Sequence, residues 1–381
     1  MKILFVNPGG NAAGGAERSL TLLIGGLLDR GHEVAAATLV EGDAADTFGL
    51  AGATVLANGI GEGLSRARRH GSLGVFLQAS IMSLPEVVAT ARMLRALAAS
   101  FEADVIHTNG LRAHVLTPLL ARGDQKLVWT LRERPPGELR RRLTRLAARF
   151  AGAIIAPSVF AADVVGRSRC PIYVIPNPVE KSAALDRTTC RRLLGLPLGR
   201  PVAGIVAHFH PTKGHHVALA AWEKLAPPRP LLALAGGDLY GRASLDYRLS
   251  LESEIAARGL DRDVILLGVV RDMHSLYGAC DMVVHPALHP EGFGRSIAEA
   301  QVAGVPVLAT ALGGPVELIE DGVSGILLRP GDATDLARKV TRVLSDAGLR
   351  ARLQHGGLMR SERYGIPAHA AAVESVYRVA S

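Results

Sequence analysis

Two glutamates stand on either side of a glycine-rich turn in "HPEGFGRSIAEAQVAG" (289–304). Glu291 lies on a predicted loop after a strand, and Glu299, with seven residues between the two, lies in the helix that follows. The free amides at the start of such a helix bind anions, and here they belong to Phe293, Gly294 and Arg295. Carboxylates accept paired hydrogen bonds from vicinal hydroxyls. The pattern indicates a ligand with hydroxyls at both ends and phosphates between them, as in a nucleotide sugar. Two acids favoured by the helix dipole are the alternative, but this does not explain the glycines.

A lysine on a second loop could meet the same phosphates. Lys213 lies in "AHFHPTKGHHVALAAWEKL" (207–225), between a predicted strand and a predicted helix. An ammonium there can neutralise a pyrophosphate as a point charge, although an isolated loop lysine is more often only solvated. Four histidines crowd this loop, but no carboxylate or thiol accompanies them at ligand spacing. We therefore expect no metal site.

A third candidate loop follows the first predicted strand, in "NPGGNAAGGAERSL" (7–20). The amides of Gly14 and Gly15, at the start of a predicted helix, could approach an anion, or the glycines could serve a tight turn. The regular Gly-x-Gly-x-x-Gly spacing is missing, and the second strand has no clear acid at its end. Both features count against a nicotinamide dehydrogenase.

Buried parallel strands must position these loops. Continuous apolar runs alternate with amphipathic stretches, first in residues 2–177 and again in residues 201–330. Continuous runs are typical of strands buried on both faces. The sequence predicts an α/β protein of two doubly wound, Rossmann-like domains facing across a cleft, residues 1–178 and 179–361. The helix at about 362–381 could pack back on the first domain.

The composition is that of a globular protein. The chain has 381 residues, of which 48% are hydrophobic, and a net charge of +8. Its three cysteines suggest neither a disulfide framework nor a zinc site, and the longest apolar stretch, residues 73–84, is too short to span a bilayer. We expect a cytoplasmic protein and leave open peripheral binding to the inner face of a membrane.

The excess of positive charge is local, because residues 61–150 contain 15 Lys and Arg but only 7 Asp and Glu. The segment "GELRRRLTRLAARF" (137–150) predicts an amphipathic helix. Its apolar side has Leu139, Leu143, Leu146 and Phe150, and its basic side has Arg141, Arg142, Arg145 and Arg149. Together with "RARRH" (66–70) they could attract an anionic membrane or form an ordinary solvated face. Aromatic residues are only 4%, and no stacking motif accompanies the arginines, so we expect no nucleic acid partner.

Several of these motifs occur together in a known family. "EGFGRSIAE" (291–299), the Lys-Gly loop, "GGAE" (14–17) and "GGPVELIEDGVSGILLRPGD" (313–332) resemble the retaining glycosyltransferase family 4, which has the GT-B fold. The resemblance covers nearly the whole chain. It implies sugar transfer from a nucleotide sugar, UDP- or GDP-linked, to a hydroxyl of a sugar, a lipid-linked sugar or a small molecule. It also implies retained configuration and no required metal or cofactor, in polysaccharide, glycolipid or glycoconjugate biosynthesis.

The resemblance also implies roles for individual residues. Glu291 would bind the donor sugar, Glu299 the ribose and Lys213 the departing diphosphate, on which Gly14 and Gly15 would close. The remaining donor-binding candidates are the amides of Gly292, Phe293, Gly294 and Arg295, with Arg271 in "GVVRD" (268–272) beside the base. The acceptor hydroxyl would attack from the face that the diphosphate leaves, the leaving phosphate would take its proton, and Glu291 is not assigned as a nucleophile.

The roles of two regions, around His208 and in residues 104–120, allow more than one interpretation. Members of the family usually carry an arginine about five or six residues before the lysine, where this chain has His208. Either His208 serves, another cation does, or the enzyme is slower. In relatives a histidine beside the transferred sugar comes from the region of "DVIHTNGLRAHVLTPLL" (104–120), which makes His107 a catalytic candidate and His114 and Asn109 acceptor-side candidates. His107 could equally be a hydrogen-bonded core histidine.

Other functions fit the same fold. A nucleotide-sugar epimerase would act without an acceptor, and a phosphorylase would need free phosphate. A nucleotide-sugar-binding subunit without activity would bind the donor but not turn it over.

Overall fold

The computed structural model describes residues 1–11, 14–61, 84–114, 116–120, 125–132, 135, 137–166, 168–181, 186–239 and 241–380. The basic run at 66–70 and most of the apolar stretch at 73–84 lie outside these ranges. The chain divides into two units, one of residues 1–178 with 366–381 and one of residues 179–365. Within the described ranges, no helix combines the length and the apolar character that crossing a bilayer requires.

The first unit contains a parallel sheet of order β3-β2-β1-β4-β5-β6-β7. Its strands are β1 Lys2–Asn7, β2 Glu33–Thr38, β3 Thr54–Asn58, β4 Val105–Asn109, β5 Lys126–Thr130, β6 Ala153–Ala156 and β7 Ile172–Val174. Alternate side chains of β1 enter two separate apolar clusters, Ile3 and Phe5 in one, Leu4 and Val6 in the other. The sheet is therefore covered on both faces, as the continuous apolar runs predict.

Helices connect these strands. They are α1 Gly15–Leu28, α2 Ala44–Leu50, α3 Leu84–Ser100, α4 Leu111–His114, α5 Thr117–Leu120, α6 Glu138–Ala147 and α7 Val159–Ala162, with a 3₁₀ turn at Ala148–Phe150. The chain's last described helix, α16 Ile366–Val379, also belongs to this unit. It packs closely on α1 at Gly26, where an added Cβ would lie only 2.9 Å from Ile366 Cγ2. Glu374 of α16 forms ion pairs with Arg30 and Arg378.

The second unit contains a parallel sheet of order β10-β9-β8-β11-β12-β13. Its strands are β8 Val202–Val206, β9 Leu231–Ala235, β10 Val264–Gly268, β11 Met282–His285, β12 Val307–Thr310 and β13 Ile326–Leu328. Its helices are α8 Arg187–Leu193, α9 His215–Glu223, α10 Arg242–Ala257, α11 Met273–Ala279, α12 Arg295–Val302, α13 Pro315–Leu318, α14 Ala333–Ser345 and α15 Ala347–Ser361, with 3₁₀ turns at Pro211–Lys213 and Glu362–Tyr364. The prediction of two doubly wound, Rossmann-like domains is confirmed.

The strand order locates the candidate loops. In each unit the chain order reverses at one strand, which is β1 in the first sheet and β8 in the second. Ligands of open parallel sheets bind at the carboxyl ends of strands beside such a reversal. The loop after β1 holds Gly14, Asn109 is the last residue of β4, and the loops after β8 and β11 hold Lys213 and Glu291.

Candidate functional site

The loop after β8 is tied to the loop after β11 through a glycine. Gly214 has φ +72°, and a Cβ at this position would clash with the carbonyl oxygen of Pro286. The amide of Leu288 donates a hydrogen bond to the carbonyl of Thr212 at 2.8 Å. This close backbone approach fixes Lys213 beside the residues that follow β11.

Lys213 and Glu291 form an ion pair in which Lys213 Nζ donates a hydrogen bond to Glu291 Oε1. Both side chains are 20% exposed. Burial alone raises the pKa of Glu291, but the His285 ring and the Lys213 ammonium outweigh it and lower that pKa to about 2. Glu291 is thus an ionised hydrogen-bond acceptor at neutral pH and cannot act as a general acid.

The backbone of the loop at 291–294 lies against Gly314. The amide of Gly314 donates to the carbonyl of Glu291 at 2.8 Å, and a Cβ on Gly314 would lie 2.8 Å from the carbonyl of Gly292. Gly294, with φ +97°, caps α12. Phe293 is buried and its ring meets Tyr364 edge-on at 6.0 Å. Its side chain therefore packs in the core, and only its backbone remains a candidate for donor binding.

Glu299 is held by two partners that lie close to the start of α12. Arg295 Nε is 2.7 Å from Glu299 Oε1, and the Tyr277 hydroxyl donates to Glu299 Oε2 at 2.7 Å. Tyr277 is buried, and burial with the adjacent Glu299 carboxylate raises its pKa well above the usual value, so it stays a donor. Arg271, the predicted neighbour of the base, is exposed on the loop between β10 and α11.

His208 is not a second cation in this structure. Burial lowers the pKa of His208 to about 4, and the Lys213 ammonium and the His210 ring shift it in the same direction. The imidazole is therefore neutral near pH 7. Of the other loop histidines, His215 is fully buried and His216 contacts the Tyr247 hydroxyl at 3.0 Å. In the described part of the chain, no three His, Cys, Asp or Glu side chains are grouped to hold a metal ion.

In the first unit, Gly14 caps α1 and lies directly against an acid. A Cβ on Gly14 would clash with Glu17 Oε2, and one on Gly9 would lie 2.7 Å from Glu17 Oε1. The carboxylate thus lies over the loop where the sequence predicts a phosphate. Glu17 would have to move for an anion to reach the amides of Gly14 and Gly15.

The structure favours the core interpretation of His107. The side chain is 1% exposed, and its two ring nitrogens lie 2.6 Å from the hydroxyls of Thr130 and Tyr377. Burial and the Arg132 charge lower its pKa well below the usual value. With both nitrogens occupied and no exposed edge, His107 does not have the catalytic placement that the sequence suggested.

His114 is likewise a packed side chain rather than an accessible acceptor-side group. It stacks on Trp129 with ring centroids 4.3 Å apart, and its Nδ1 lies 2.8 Å from the Thr108 hydroxyl. It is 1% exposed, and burial lowers its pKa to about 3. The expectation that His114 faces an acceptor therefore does not fit this placement.

Asn109 belongs to a polar network at the carboxyl ends of the strands in the first sheet. Its Nδ2 donates to Asn7 Oδ1 at 2.7 Å, and its Oδ1 accepts from Arg132 Nε at 2.6 Å. Arg132 Nη1 also donates to Asn177 Oδ1 at 2.8 Å. Arg132 has no signal in the sequence, because it follows β5 in "LRERPP" (131–136) without a recognisable motif.

Helix α6 buries a side that the sequence analysis did not single out. Thr144, Ala147 and Ala148 are buried, whereas Leu143 and Leu146 are exposed. Phe150, in the turn after α6, is also exposed. The small residues pack inward because they allow the helix to approach the sheet closely, and the apolar stripe faces solvent beside the arginines.

Comparison with known proteins places the chain in a family. Residues 13–182 match Glycosyltransferase Family 4, and residues 186–358 match Glycosyl transferases group 1. The chain is 34% identical over 220 residues to a D-inositol 3-phosphate glycosyltransferase of Xylanimonas cellulosilytica, with 55% of this chain and 52% of that protein covered. It is 31% identical over 225 residues to a 2-deoxystreptamine glucosyltransferase of Streptomyces kanamyceticus, with 57% and 56% covered. The chain spans about half the length of these curated relatives.

The fold is shared along the whole chain with a solved structure. Anabaena Alr3699/HepE in complex with UDP-glucose is 28% identical, with a TM-score of 0.80, and the match covers 98% of this chain and 99% of that chain. The two family matches cover most of the chain between them. The chain belongs to glycosyltransferase family 4 and has the GT-B fold.

Proposed function

We propose that the protein is a retaining, metal-independent glycosyltransferase that moves a sugar from a nucleotide-diphosphate sugar to a hydroxyl acceptor. The observation that carries this proposal is the Lys213–Glu291 ion pair beside the start of α12. A donor diphosphate is the anion that can replace Glu291 as the partner of Lys213. UDP is the first nucleotide to test, because HepE was crystallised with UDP-glucose.

Donor binding would exchange one ion pair for another. Lys213 Nζ leaves Glu291 Oε1 and pairs with the diphosphate, and the free amides at the start of α12 contact the same charge. Glu291, now without its ammonium partner, accepts hydrogen bonds from the sugar hydroxyls. Glu299, already oriented by Arg295 and Tyr277, accepts those of the ribose.

The chemical step breaks the bond between the anomeric carbon and the diphosphate oxygen. Negative charge grows on the diphosphate, where Lys213 and the α12 amides stabilise it. The acceptor oxygen bonds to the anomeric carbon on the face that the diphosphate leaves, and the acceptor proton passes to the leaving phosphate. Glu291 is not a nucleophile in this scheme.

The test is turnover with purified protein. A thermal-shift panel of UDP-, GDP- and ADP-sugars identifies the nucleotide, and release of the nucleoside diphosphate is then followed with the wild type and with Glu291→Ala. The proposal expects wild-type turnover and a strong loss in the variant, with the circular dichroism spectrum of the folded protein retained. Unchanged turnover in Glu291→Ala would remove this residue from the site.

A binding subunit without activity is the second candidate, and one observation favours it. The position where the family usually carries an arginine holds His208, whose lowered pKa leaves it neutral. The two candidates separate in the same assay, since a binding subunit shows a thermal shift with the donor but releases no diphosphate with any acceptor.

We also propose that the protein binds peripherally to an anionic membrane, on its inner face, through the region of α6. Leu143, Leu146 and Phe150 are 43%, 55% and 45% exposed. Arg142 and Arg149 are exposed nearby. Apolar side chains beside basic ones on one helix suit the interface of an anionic bilayer.

Vesicle co-sedimentation tests this proposal. The wild type should sediment with phosphatidylcholine vesicles only when they contain phosphatidylglycerol, and Leu146→Gln with Phe150→Gln should reduce the bound fraction. Leu50→Gln is the matched control, because Leu50 is 90% exposed on α2 of the same unit. Equal binding to both kinds of vesicle, or an equal loss in the control, would contradict the proposal.

A further inference from the structure

His285 is a buried polar residue next to the proposed donor site that no step above uses. It is the last residue of β11, 5% exposed, and its carbonyl accepts a hydrogen bond from the Thr310 hydroxyl at 3.3 Å. The strand therefore fixes its backbone, and the ring has little freedom.

One side of the ring is held by a helix. His285 Nδ1 lies 3.1 Å from the hydroxyl of Ser296, a buried residue in the first turn of α12. Burial lowers the pKa of His285, opposed by Glu291 and aided by Lys213, so the ring is neutral near pH 7. The tautomer with its proton on Nε2 is the one in which Nδ1 accepts a hydrogen bond from the Ser296 hydroxyl.

The other side of the ring faces Glu291. His285 Nε2 is 3.5 Å from Glu291 Oε2, and among the described residues this buried nitrogen has no hydrogen-bond partner. A buried donor without a partner is unfavourable. The separation exceeds a normal N–H···O distance by only a few tenths of an ångström. The other carboxylate oxygen, Oε1, is occupied by Lys213.

We propose that His285 is a positioning residue that holds the Glu291 carboxylate when Lys213 leaves it for the donor diphosphate. The Nε2 proton then forms a hydrogen bond to Glu291 Oε2, from which Nε2 is 3.5 Å away in the structure. Ser296, through Nδ1, keeps that proton on the correct nitrogen. This inference rests on the proposed function, because it assigns His285 to the residue that contacts the donor sugar.

Two amide substitutions separate the two sides of the ring. The side-chain nitrogen of His285→Asn corresponds to Nδ1 and reaches Ser296, whereas that of His285→Gln corresponds to Nε2 and reaches Glu291. Both are neutral amides, so both lose the ring packing. We expect His285→Asn to lower kcat for UDP-glucose turnover about 10- to 100-fold, the range of one hydrogen bond to a charged group. His285→Gln should stay within about threefold of the wild type, because it retains that bond.

Binding gives a readout that a general structural role would not move. In calorimetric titrations, His285→Asn should lose more affinity for UDP-glucose than for UDP, because both ligands draw Lys213 away from Glu291 but only UDP-glucose places a sugar on that carboxylate. Equal turnover in the Asn and Gln variants, or a parallel loss of UDP affinity in both, would overturn the inference.

The same measurements distinguish this inference from the proposed function. If the wild type turns over UDP-glucose and Glu291→Ala does not, but His285→Asn is as active as the wild type, then only the role of His285 is wrong. If the wild type binds neither UDP nor UDP-glucose, the proposed uridine donor is wrong, and the inference is overturned with it.

Discussion

Replacing Glu291 by glutamine should make the protein bind UDP more tightly while it turns over less donor. Lys213 is paired with Glu291, and it must leave that partner before it can meet a diphosphate. Glutamine is similar in size but neutral, so Glu291→Gln frees the ammonium. It also removes a negative charge that would otherwise repel the incoming phosphates.

The size of the effect follows from the burial of the pair. Both side chains are 20% exposed, between a surface ion pair and a fully buried one. An ion pair with a hydrogen bond in such a setting is worth about 1–2 kcal/mol. The dissociation constant of UDP should therefore fall about 5- to 30-fold. Turnover should fall about a hundredfold or more, because a contact to the reacting sugar is lost.

Calorimetry with UDP and turnover with UDP-glucose provide the two measurements. Glu252→Gln is the matched control, because Glu252 lies in the same unit and pairs with Arg248 on α10, so its replacement also removes one paired negative charge. The control should change neither quantity. If Glu291→Gln binds UDP as weakly as the wild type or more weakly, Glu291 does not compete with the diphosphate for Lys213, and the reasoning fails.

Three further predictions concern other residues. Tyr277→Phe removes the hydroxyl that holds Glu299, so the preference for UDP over 2′-deoxy-UDP should shrink by about 3- to 10-fold in calorimetry; an unchanged preference would contradict a ribose role. Gly26→Ala should lower stability by about 1–3 kcal/mol through overpacking against α16, whereas Gly25→Ala, with nothing within 4 Å of its Cβ, should not destabilise; equal melting temperatures would contradict this packing. Burial lowers the pKa of His369 to about 4, so between pH 6.5 and 4 the unfolded state takes up a proton that the folded state does not. The free energy of unfolding therefore decreases as the pH is lowered through this range, by up to about 1.4 kcal/mol per pH unit. His369→Gln should flatten the decline in melting temperature, and an identical decline would show that His369 does not cause it.

The strands that position the site could be predicted from the sequence because they are buried on both faces. β1 and β11 contain apolar runs at 3–6 and 282–284, and β8 reads VAGIV, whereas β4, VIHTN, is mostly polar in sequence although it is buried along its length. β3, Thr54–Asn58, lacks this signal because its residues are exposed or half-buried.

The proximity of Lys213 and Glu291 could be expected from topology alone. Both follow the carboxyl ends of neighbouring strands in one parallel sheet, and the glycines beside them permit the close backbone approach. Their ion pair could not be predicted, because it depends on side-chain orientation. The neutral state of His208 also depends on burial, which the residue type does not reveal.

The residues that orient the acids had no sequence signal. Tyr277 lies within a helix and His285 ends a strand, so both look like packing residues in the sequence. Conversely, His107 was a site candidate because relatives have a histidine beside the transferred sugar in this region, yet both of its nitrogens lie against hydroxyls of the core. The distinction between these two histidines lies in Nε2 of His285, which has no hydrogen-bond partner within the described part of the chain.

A crystal structure with UDP-glucose tests the central claim most directly. We expect the diphosphate within hydrogen-bond distance of Lys213 Nζ, a sugar hydroxyl on Glu291, and the Lys213–Glu291 ion pair broken. A structure in which the nucleotide binds elsewhere while that ion pair stays intact would contradict the proposed donor site.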